Sequence, residues 1–598
     1  MNWKSAKHIG EIGGSNAEGL ALNLTRQQKQ CFTFVLYLAG ALLCGIGVWF
    51  IFGGVEYTSI PFILALSPAF YFFLKRGREI EFPGKLAANL CHIFSILLTF
   101  SLFLGKGIVA SAGISSDDYR KLSLLALPGL FLLLDTLLRF LMHFLLKQEL
   151  RLQEHRNVKR FFLLCWGGIF ILWLPYLIAQ LPAVLDFDAI KQMDMLAGLR
   201  PMTDHHPFAH TMLIRLCLTI GGGSPTAYAV IQMVLLSLIF AFSTAWVYSK
   251  GVSKGVCMII AAYFALNPVH ASFSVTMWKD VLFGGFVLLF TVVLCEVTMT
   301  KGDCLRKPSW LLLLLLSALG MAFFRNNGPM ALAVLAVVLL IVFRRAWKQW
   351  VAVFACVFIL LGIVKGPVFD AVGVEPTTFT ESLGIPLQQI ARVVAVGGDI
   401  SQEQLDTLDS FVSVETVKKN YNPYCVDYIK SEVYGADFHH EVLEEKKGEF
   451  FRLWFELLLK NPKIYIESYL DSTYGFWYPL SDSFVAYWHN VHTNQLGLEQ
   501  ITISPAFSRG LGLMAEKGWK MNIPSLCVFS VLFFAAAAWV KKGKAFLIPF
   551  LPVILLWMTI LIAAPIATSL RYVYYAFTAV PVLAAFALLP EQKGKVEK

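Results

Sequence analysis

Apolar residues gather in blocks long enough to cross a membrane, and this pattern limits the fold more than any other feature of the chain. A spanning helix needs roughly 20 apolar residues, and the chain of 598 residues is 57% hydrophobic. By that length criterion we read about fourteen spans. They lie near residues 32–53, 59–74, 87–108, 121–146, 161–182, 226–248, 256–273, 281–299, 309–324, 329–343, 349–368, 523–540, 545–564 and 570–589. The sequence therefore predicts an all-α polytopic membrane protein.

The net charge of +10 does not indicate nucleic-acid binding, because the basic residues stand between the spans. In the topology above, the basic clusters fall on one side of the membrane, which the positive-inside rule makes cytoplasmic together with both termini. The clusters are Lys75, Arg76 and Arg78; Lys147, Arg151, Arg156, Lys159 and Arg160; Lys250 and Lys254; Lys301, Arg306 and Lys307; Arg344, Arg345 and Lys348; and Lys541, Lys542 and Lys544.

The same topology divides the chain into successive parts. They are a cytoplasmic N-terminal tail (1–30), a transmembrane bundle (31–368) with an outer catalytic loop (183–225), a mostly helical extracytoplasmic insert (369–520), C-terminal transmembrane helices (521–590) and a cytoplasmic tail (591–598). Within the insert, Ser401 predicts a helix cap, and Asn461-Pro462 predicts a break between two helices. Trp477 and Tyr478 belong to an aromatic corner of the kind that suits a membrane interface or stacking on a sugar.

Carboxylates and imidazoles gather directly after the span near 161–182. Asp186 and Asp188 are two residues apart, which in an extended loop turns both to one side. Two such carboxylates divide acid and base roles or hold a metal; alternatively they are a solvated helix mouth. His205 and His206 precede a short apolar stretch, 208–220, which predicts a helix at the membrane surface. His206 and His210 would share a helix face as a pair of metal ligands, but no third ligand is evident, so a divalent cation is allowed rather than required and substrate hydrogen bonding is favoured.

Three cations stand at the outer ends of spans that are remote in sequence. Lys279 with Asp280, Arg325, and Arg571 with Tyr572 all fall at one depth on the side where cations are disfavoured. An anionic phosphate would explain them through charge-assisted hydrogen bonds. The plainer interpretation of the first pair is a Trp278 anchor beside a local ion pair.

One charged pair lies inside a predicted span. Asp135 and Arg139 are four residues apart, a spacing that favours an ion pair within one helix. A structural role is expected for this pair, because it lies far from the carboxylates, histidines and cations at the outer ends of the spans.

Together these residues resemble the GT-C glycosyltransferases, membrane enzymes with an acidic outer loop after an early span. Asp186-Phe-Asp-Ala-Ile-Lys-Gln, Asp204-His-His-Pro-Phe-Ala-His-Thr, Trp278-Lys-Asp-Val-Leu-Phe, Leu383-Gly-Ile-Pro-Leu-Gln-Gln-Ile and Phe476-Trp-Tyr-Pro are similar to a group of bacterial multi-spanning proteins of that type. The resemblance implies a GT-C-like fold, an active site on the outer face and a polyprenyl-phosphate-linked sugar as donor. It also implies that Asp186 or Asp188 acts as base, and that the acceptor is a glycan, lipid or protein of the cell envelope.

Two other functions fit the same pattern. A flippase or transporter of lipid-linked oligosaccharides would suit about fourteen helices, but it predicts charges along a central cavity and internal symmetry, which the sequence lacks. A polymerase or ligase of surface polysaccharide would share the chemistry and use a diphosphate-linked donor. The sequence does not separate it from the monophosphate-dependent enzyme.

Overall fold

The structure is a computed structural model that describes residues 26–52, 59–111, 117–155, 157–481, 491–521, 523–563 and 566–590. Within these residues every regular element is a helix, and only isolated β-bridges join extended segments. The parts of the predicted N-terminal and C-terminal tails at 1–25 and 591–598 lie outside the described residues. The predicted all-α class is confirmed for the described residues.

The first part of the chain begins with five long helices, and shorter helices follow among further long ones. They are α1 (Arg26–Phe52), α2 (Ser59–Arg78), α3 (Lys85–Ser111), α4 (Asp117–Lys147), α5 (Val158–Ala179), α6 (Phe187–Leu196), α7 (Phe208–Ile220), α8 (Thr226–Ser249), α9 (Lys254–Leu266), α10 (Pro268–Ser274), α11 (Lys279–Thr300), α12 (Pro308–Phe324), α13 (Gly328–Val342) and α14 (Trp347–Ile363). Helix α14 runs into a π-helical turn, Val364–Val368.

The second half contains the insert and the last spans. Its α-helices are α15 (Phe369–Val372), α16 (Gly384–Ala395), α17 (Gln402–Asp409), α18 (Val414–Asn420), α19 (Asp427–Lys430), α20 (His440–Glu445), α21 (Lys447–Lys460), α22 (Pro462–Thr473), α23 (Pro505–Met521), α24 (Pro524–Lys542), α25 (Leu551–Ile562) and α26 (Tyr574–Leu588). Short 3₁₀ turns connect them, among them Phe379–Ser382 in the insert and Leu570–Val573 before α26.

Ten helices of the described chain are long and apolar enough to cross a membrane, or eleven if the bent pair α9–α10 is one span. The protein is thus a multi-pass helical membrane protein, but the expectation of about fourteen spans is too high by the length criterion. Helices α12 and α13 have only 17 and 15 residues, which at 1.5 Å per residue reach roughly 25 Å or less. Helix α2 ends in Lys75, Arg76 and Arg78, which shorten its apolar stretch.

The chain divides into two compact units. The first comprises Met1–Glu81 and Ser115–Phe140, and the second comprises Phe82–Ile114 and Leu141–Lys598. In the first unit the Arg139 guanidinium donates a hydrogen bond of 2.8 Å to the Asp135 carboxylate. This confirms the ion pair that the spacing predicted, and it belongs to a different unit from all the candidate site residues.

The second unit has two distinguishable ends. At one end the backbone N–H of Leu150 donates to the carbonyl of Leu588 at 3.2 Å, and Leu152 forms a bridge with Val252. At the other end Val184 bridges Thr276. We call this second end the site end, because the acidic loop and the N-termini of α11 and α26 meet there.

The insert has a hydrophobic core of its own, which includes Ile390, Phe411, Phe450 and Leu457. Ser401 and Gln404 form the predicted capping box at the start of α17, and Asn461 separates α21 from α22 as predicted. The insert is tied to the site end by backbone contacts, including N–H···O bonds from Ala567 to Tyr424 at 2.9 Å and from Glu375 to Met202 at 2.8 Å.

Candidate functional site

Asp186 is the N-cap of helix α6. Its carboxylate accepts hydrogen bonds from the backbone N–H groups of Asp188 at 3.1 Å and Ala189 at 3.3 Å, which satisfies two of the donors that a helix start leaves unpaired. Asp188 lies in the first turn of the helix, so the condition of an extended loop, under which both side chains would turn to one side, is not met.

The two carboxylates nevertheless face one guanidinium. Arg571 Nη1 lies 2.9 Å from Asp188 Oδ2 and 3.7 Å from Asp186 Oδ2. The Lys279 ammonium lies 3.8 Å from Asp188 Oδ2, and the Trp278 indole N–H donates to Asp186. About a fifth of each aspartate side chain is exposed, 18% for Asp186 and 21% for Asp188. The structure thus places the two predicted carboxylates beside two of the predicted cations, and it adds a contact from Trp278, for which the sequence predicted only an anchoring role.

The surroundings shift the two carboxyl pKa values in opposite directions. Burial, reinforced by the neighbouring Asp188 charge, raises the pKa of Asp186 to about 6. Burial also acts against ionisation of Asp188, but the charges of Arg571 and Lys279 outweigh it and hold the pKa of that carboxyl well below its usual range. Such a divergence separates a group that takes up a proton near neutral pH from one that stays ionised.

His206 is oriented by Lys279. The Lys279 ammonium donates to His206 Nδ1 at 2.9 Å, and burial with that neighbouring charge lowers the pKa of the imidazole well below its ordinary value. Helix α7 begins only at Phe208, so His206 and His210 do not share a helix face. The two ring nitrogens of His210 instead contact Gln192 at 3.0 Å and the Tyr228 hydroxyl at 2.7 Å. The described residues contain no group of three metal-ligating side chains.

Arg325 pairs with a third carboxylate. Its Nη1 atom lies 2.8 Å from Asp280 Oδ1, and its guanidinium lies 5.0 Å from the centre of the Tyr572 ring. The Arg571 guanidinium also lies over the Tyr572 ring, at 5.2 Å. One tyrosine ring thus links the two arginines, and all three predicted cations belong to one cluster, although each is already paired with a carboxylate. That they hold a phosphate stays a prediction.

The insert contacts this cluster through His205. Its Nδ1 atom lies 3.9 Å from Glu381 Oε1, and Glu381 in turn pairs with the buried Lys430 ammonium. Next to it, Asp204 pairs with Lys365 of the π-helical turn at 2.8 Å. Sequence reasoning missed Glu381 and Lys365, because nothing in their local sequence distinguishes them from other charges at helix ends.

Trp477 and Tyr478 lie elsewhere. The carbonyl of Trp477 accepts a hydrogen bond from Ser101, and that of Tyr478 accepts one from Ser525 at 2.7 Å. The Tyr478 ring is buried against Gly105, so it offers no open face for stacking on a sugar. These aromatics join α3 and α24 to the insert.

A family profile matches residues 199–598, more than half of the sequence, and the chain therefore belongs to a family of unknown function (DUF6020). Neither a curated protein nor a solved structure matches the chain. The matched region contains the histidines and cations of the cluster and begins after Asp186 and Asp188. Family membership thus assigns no chemistry to the chain. A function can be inferred only from the geometry of the site.

Proposed function

We propose that the protein is an integral membrane glycosyltransferase that moves a sugar from a polyprenyl-phosphate-linked donor to a glycan, lipid or protein acceptor on the outer face of the cell membrane. The observation that supports this most is the pair Asp186 and Asp188, whose carboxylates share Arg571 but have pKa values shifted apart. Transfer to a hydroxyl needs a base, and transfer from a phosphate needs fixed cations, and this cluster has both.

Asp186 is the base in this mechanism. A general base works best when its pKa lies near the operating pH, and the pKa of Asp186 is raised to about 6. Its carboxylate takes the proton of the acceptor hydroxyl while the hydroxyl oxygen bonds to the anomeric carbon of the donor. The bond from that carbon to the phosphate oxygen breaks, and its electron pair leaves on the phosphate. Asp188 remains ionised and positions Arg571 and Lys279.

Proton uptake and phosphate departure support each other electrostatically. Arg571 lies between two carboxylates, at 2.9 Å and 3.7 Å. Once Asp186 is protonated, Arg571 loses one anionic neighbour at the moment when the leaving phosphate gains negative charge. In a site with little water this gain is large, because charges interact more strongly at low dielectric.

The first test replaces Asp186 by Asn in protein reconstituted with polyprenyl-phosphate-linked hexoses, and measures the release of polyprenyl phosphate. Loss of a general base lowers the rate by about 10²- to 10⁴-fold. Asn remains a good N-cap, so helix α6 should persist. Asp194→Asn is the matched control, since Asp194 lies on the same helix and pairs only weakly with Arg200 at 3.5 Å. Normal release by a well-expressed Asp186→Asn variant would remove the base assignment and favour the flippase alternative.

The outward orientation is tested by cysteine labelling of intact cells. Cys425 is a poor reporter, because burial raises the pKa of its thiol to about 12 and leaves little reactive thiolate. Lys463, whose side chain is 88% exposed in the insert, and the exposed Glu154 between α4 and α5 are better positions on a cysteine-free background. An impermeant maleimide should label Lys463→Cys and leave Glu154→Cys unlabelled; the reverse pattern would place the site end in the cytoplasm.

A further inference from the structure

Asp280 is a buried carboxylate whose hydrogen-bonding capacity is unused. It is only 1% exposed, and neither of its oxygens accepts a well-formed hydrogen bond from the protein. Arg325 Nη1 approaches Oδ1 to 2.8 Å, but the hydrogen bond that this nitrogen donates goes to the carbonyl of Tyr572 at 3.3 Å. The contact is therefore an ion pair without the aligned hydrogen bond that such a distance normally brings.

A second buried polar group near Arg325 also lacks a partner. The Tyr575 hydroxyl is buried and makes no hydrogen bond. The Phe283 ring connects the two groups, at 5.9 Å from the Arg325 guanidinium and 6.2 Å from the Tyr575 ring. Buried polar atoms of folded proteins almost always have partners. Two unpartnered side chains, one paired with Arg325 and one joined to it through the Phe283 ring, therefore indicate a ligand that supplies the missing bonds.

The chemistry of these groups selects a neutral, hydroxyl-rich ligand. A carboxylate accepts hydrogen bonds from hydroxyl groups, a guanidinium donates to hydroxyl oxygens, and a phenol does both. A phosphate is disfavoured beside Asp280, because its charge would repel a carboxylate in a buried setting. Lys279 and Arg571 are better placed for a phosphate, because two cations there face the one carboxylate of Asp188 that stays ionised.

We propose that Asp280, Arg325 and Tyr575 form a sugar-binding subsite that holds the hydroxyl groups of the transferred sugar. This proposal rests on the proposed function, and it changes the expected role of Arg325 from phosphate binding to sugar binding. Lys279 and Arg571 then hold the phosphate, and the two parts of the donor are recognised by separate halves of the cluster.

The experiment compares two probes on the full-length protein in lipid nanodiscs: polyprenyl phosphate alone, and polyprenyl phosphate linked to each of several hexoses. In the wild type at least one hexose should strengthen binding over polyprenyl phosphate. Tyr575→Phe and Asp280→Asn should each weaken binding of that hexose-linked probe by about 10- to 100-fold, the range for hydrogen bonds to charged or buried groups. Binding of polyprenyl phosphate alone should remain within about twofold of the wild type.

Tyr263→Phe is the matched control for folding. The Tyr263 hydroxyl donates to the carbonyl of Phe577 at 3.0 Å, so its loss should lower the thermal midpoint and leave the preference for the hexose unchanged. Tyr575→Phe removes a hydroxyl that makes no hydrogen bond, so it should leave the thermal midpoint unchanged and remove the preference. A purely structural role of Tyr575 would give the opposite result.

Failure of this subsite is distinguishable from failure of the proposed function. If neither polyprenyl probe binds, the proposed function fails, and the subsite is then tested with free hexoses at millimolar concentration by ligand-observed NMR. Binding that Asp280→Asn and Tyr575→Phe abolish would support the subsite on its own. If the polyprenyl probes bind but these variants weaken both equally or neither, or if free hexoses bind the variants as well as the wild type or do not bind at all, the subsite proposal is wrong.

Discussion

The two ends of helix α11 each bury a carboxylate, and they treat it in opposite ways. Glu296, near the C-terminus of the helix and 8% exposed, accepts a hydrogen bond of 2.8 Å from the Trp246 indole and pairs with the Lys250 ammonium. Asp280, in the first turn and 1% exposed, faces Arg325 at 2.8 Å but accepts no hydrogen bond. The protein supplies Glu296 with both a hydrogen bond and a cation. It supplies Asp280 with a cation only, so the Asp280 oxygens remain able to accept hydrogen bonds.

Under the proposed sugar subsite, this difference separates a structural charge, Glu296, from a ligand-binding charge, Asp280. Both acids sit on the same helix and both have a cation within contact distance, so neither burial nor the presence of a cation distinguishes them. What distinguishes them is whether the neighbours also satisfy the hydrogen bonds. Burying an unsatisfied polar group lowers stability. Such groups are expected at functional sites, where a bound ligand can supply the missing hydrogen bonds.

The largest effect on stability is expected from Asp188→Asn at the site end. It leaves Arg571 and Lys279 without their closest carboxylate. Breaking a fully buried ion pair costs about 3–5 kcal/mol, and this pair, about a fifth exposed, should cost somewhat less. Asp186→Asn should instead leave the thermal midpoint equal or higher, because it keeps the N-cap and removes the repulsion between the two acids. Thermal denaturation of the purified variants checks this. A Tm that falls equally in both would mean that the two carboxylates are equivalent structural charges.

A smaller contrast is expected between Glu296→Gln and Asp280→Asn. The first leaves Lys250 unpaired and weakens a hydrogen bond that Trp246 now makes to a charged acceptor, so it should lower the Tm clearly. The second also takes the carboxylate away from a cation, Arg325, but it removes no hydrogen bond, and Arg325 keeps its contacts with Tyr572 and Phe283, so the Tm should fall less. Transfer activity, in contrast, should fall more in Asp280→Asn than in Glu296→Gln. Equal losses of Tm would show that the unused bonds of Asp280 have no special meaning.

The smallest expected effect is a pH dependence of polyprenyl phosphate binding. Because the pKa of Asp186 is raised to about 6 in the folded protein, the group is neutral below that pH and charged above it. Neutral Asp186 leaves Arg571 freer for an anion, so affinity should rise, by about tenfold or less, as the pH falls through 6. Phosphate itself titrates near this pH, so Asp186→Asn is the reference. A wild-type curve parallel to that of the variant would exclude Asp186 as the titrating group.

Most of the helices were predictable, whereas the pairings within the site were not. Apolar blocks predict helices because a membrane-spanning backbone must satisfy its own hydrogen bonds, and each predicted span corresponds to a helix or to the bent pair α9–α10. Helices α12 and α13 were counted as spans because they are strongly apolar, although at 17 and 15 residues they are shorter than the roughly 20 residues that a span needs. The prediction that Lys279, Arg325 and Arg571 lie at one depth came from topology alone, and the structure shows that the three belong to one cluster.

Which carboxylate each cation contacts depends on the rotation of the helices about their axes and on side-chain packing, which sequence spacing does not determine. The sequence did not predict that Asp186 is the N-cap of α6. The pattern Leu-Asp-Phe-Asp after a span reads as an extended loop or as a helix start, and only the hydrogen bonds from Asp188 and Ala189 to Asp186 decide between them. Glu381 and Lys430 reach the cluster through the tertiary fold of the insert and leave no local signal.

The position of Asp186 at the first turn of α6 also ties the proposed reaction to the start of this helix. The carboxylate that accepts the proton is the same group that fastens the start of the helix, and a negative charge there is favoured by the helix dipole. Each proton taken up therefore removes a charge that the helix dipole favours and, at the same time, the repulsion from Asp188, and each proton released restores both. The first turn of helix α6 would thus change its electrostatic balance once in every turnover, at the same group that takes the proton.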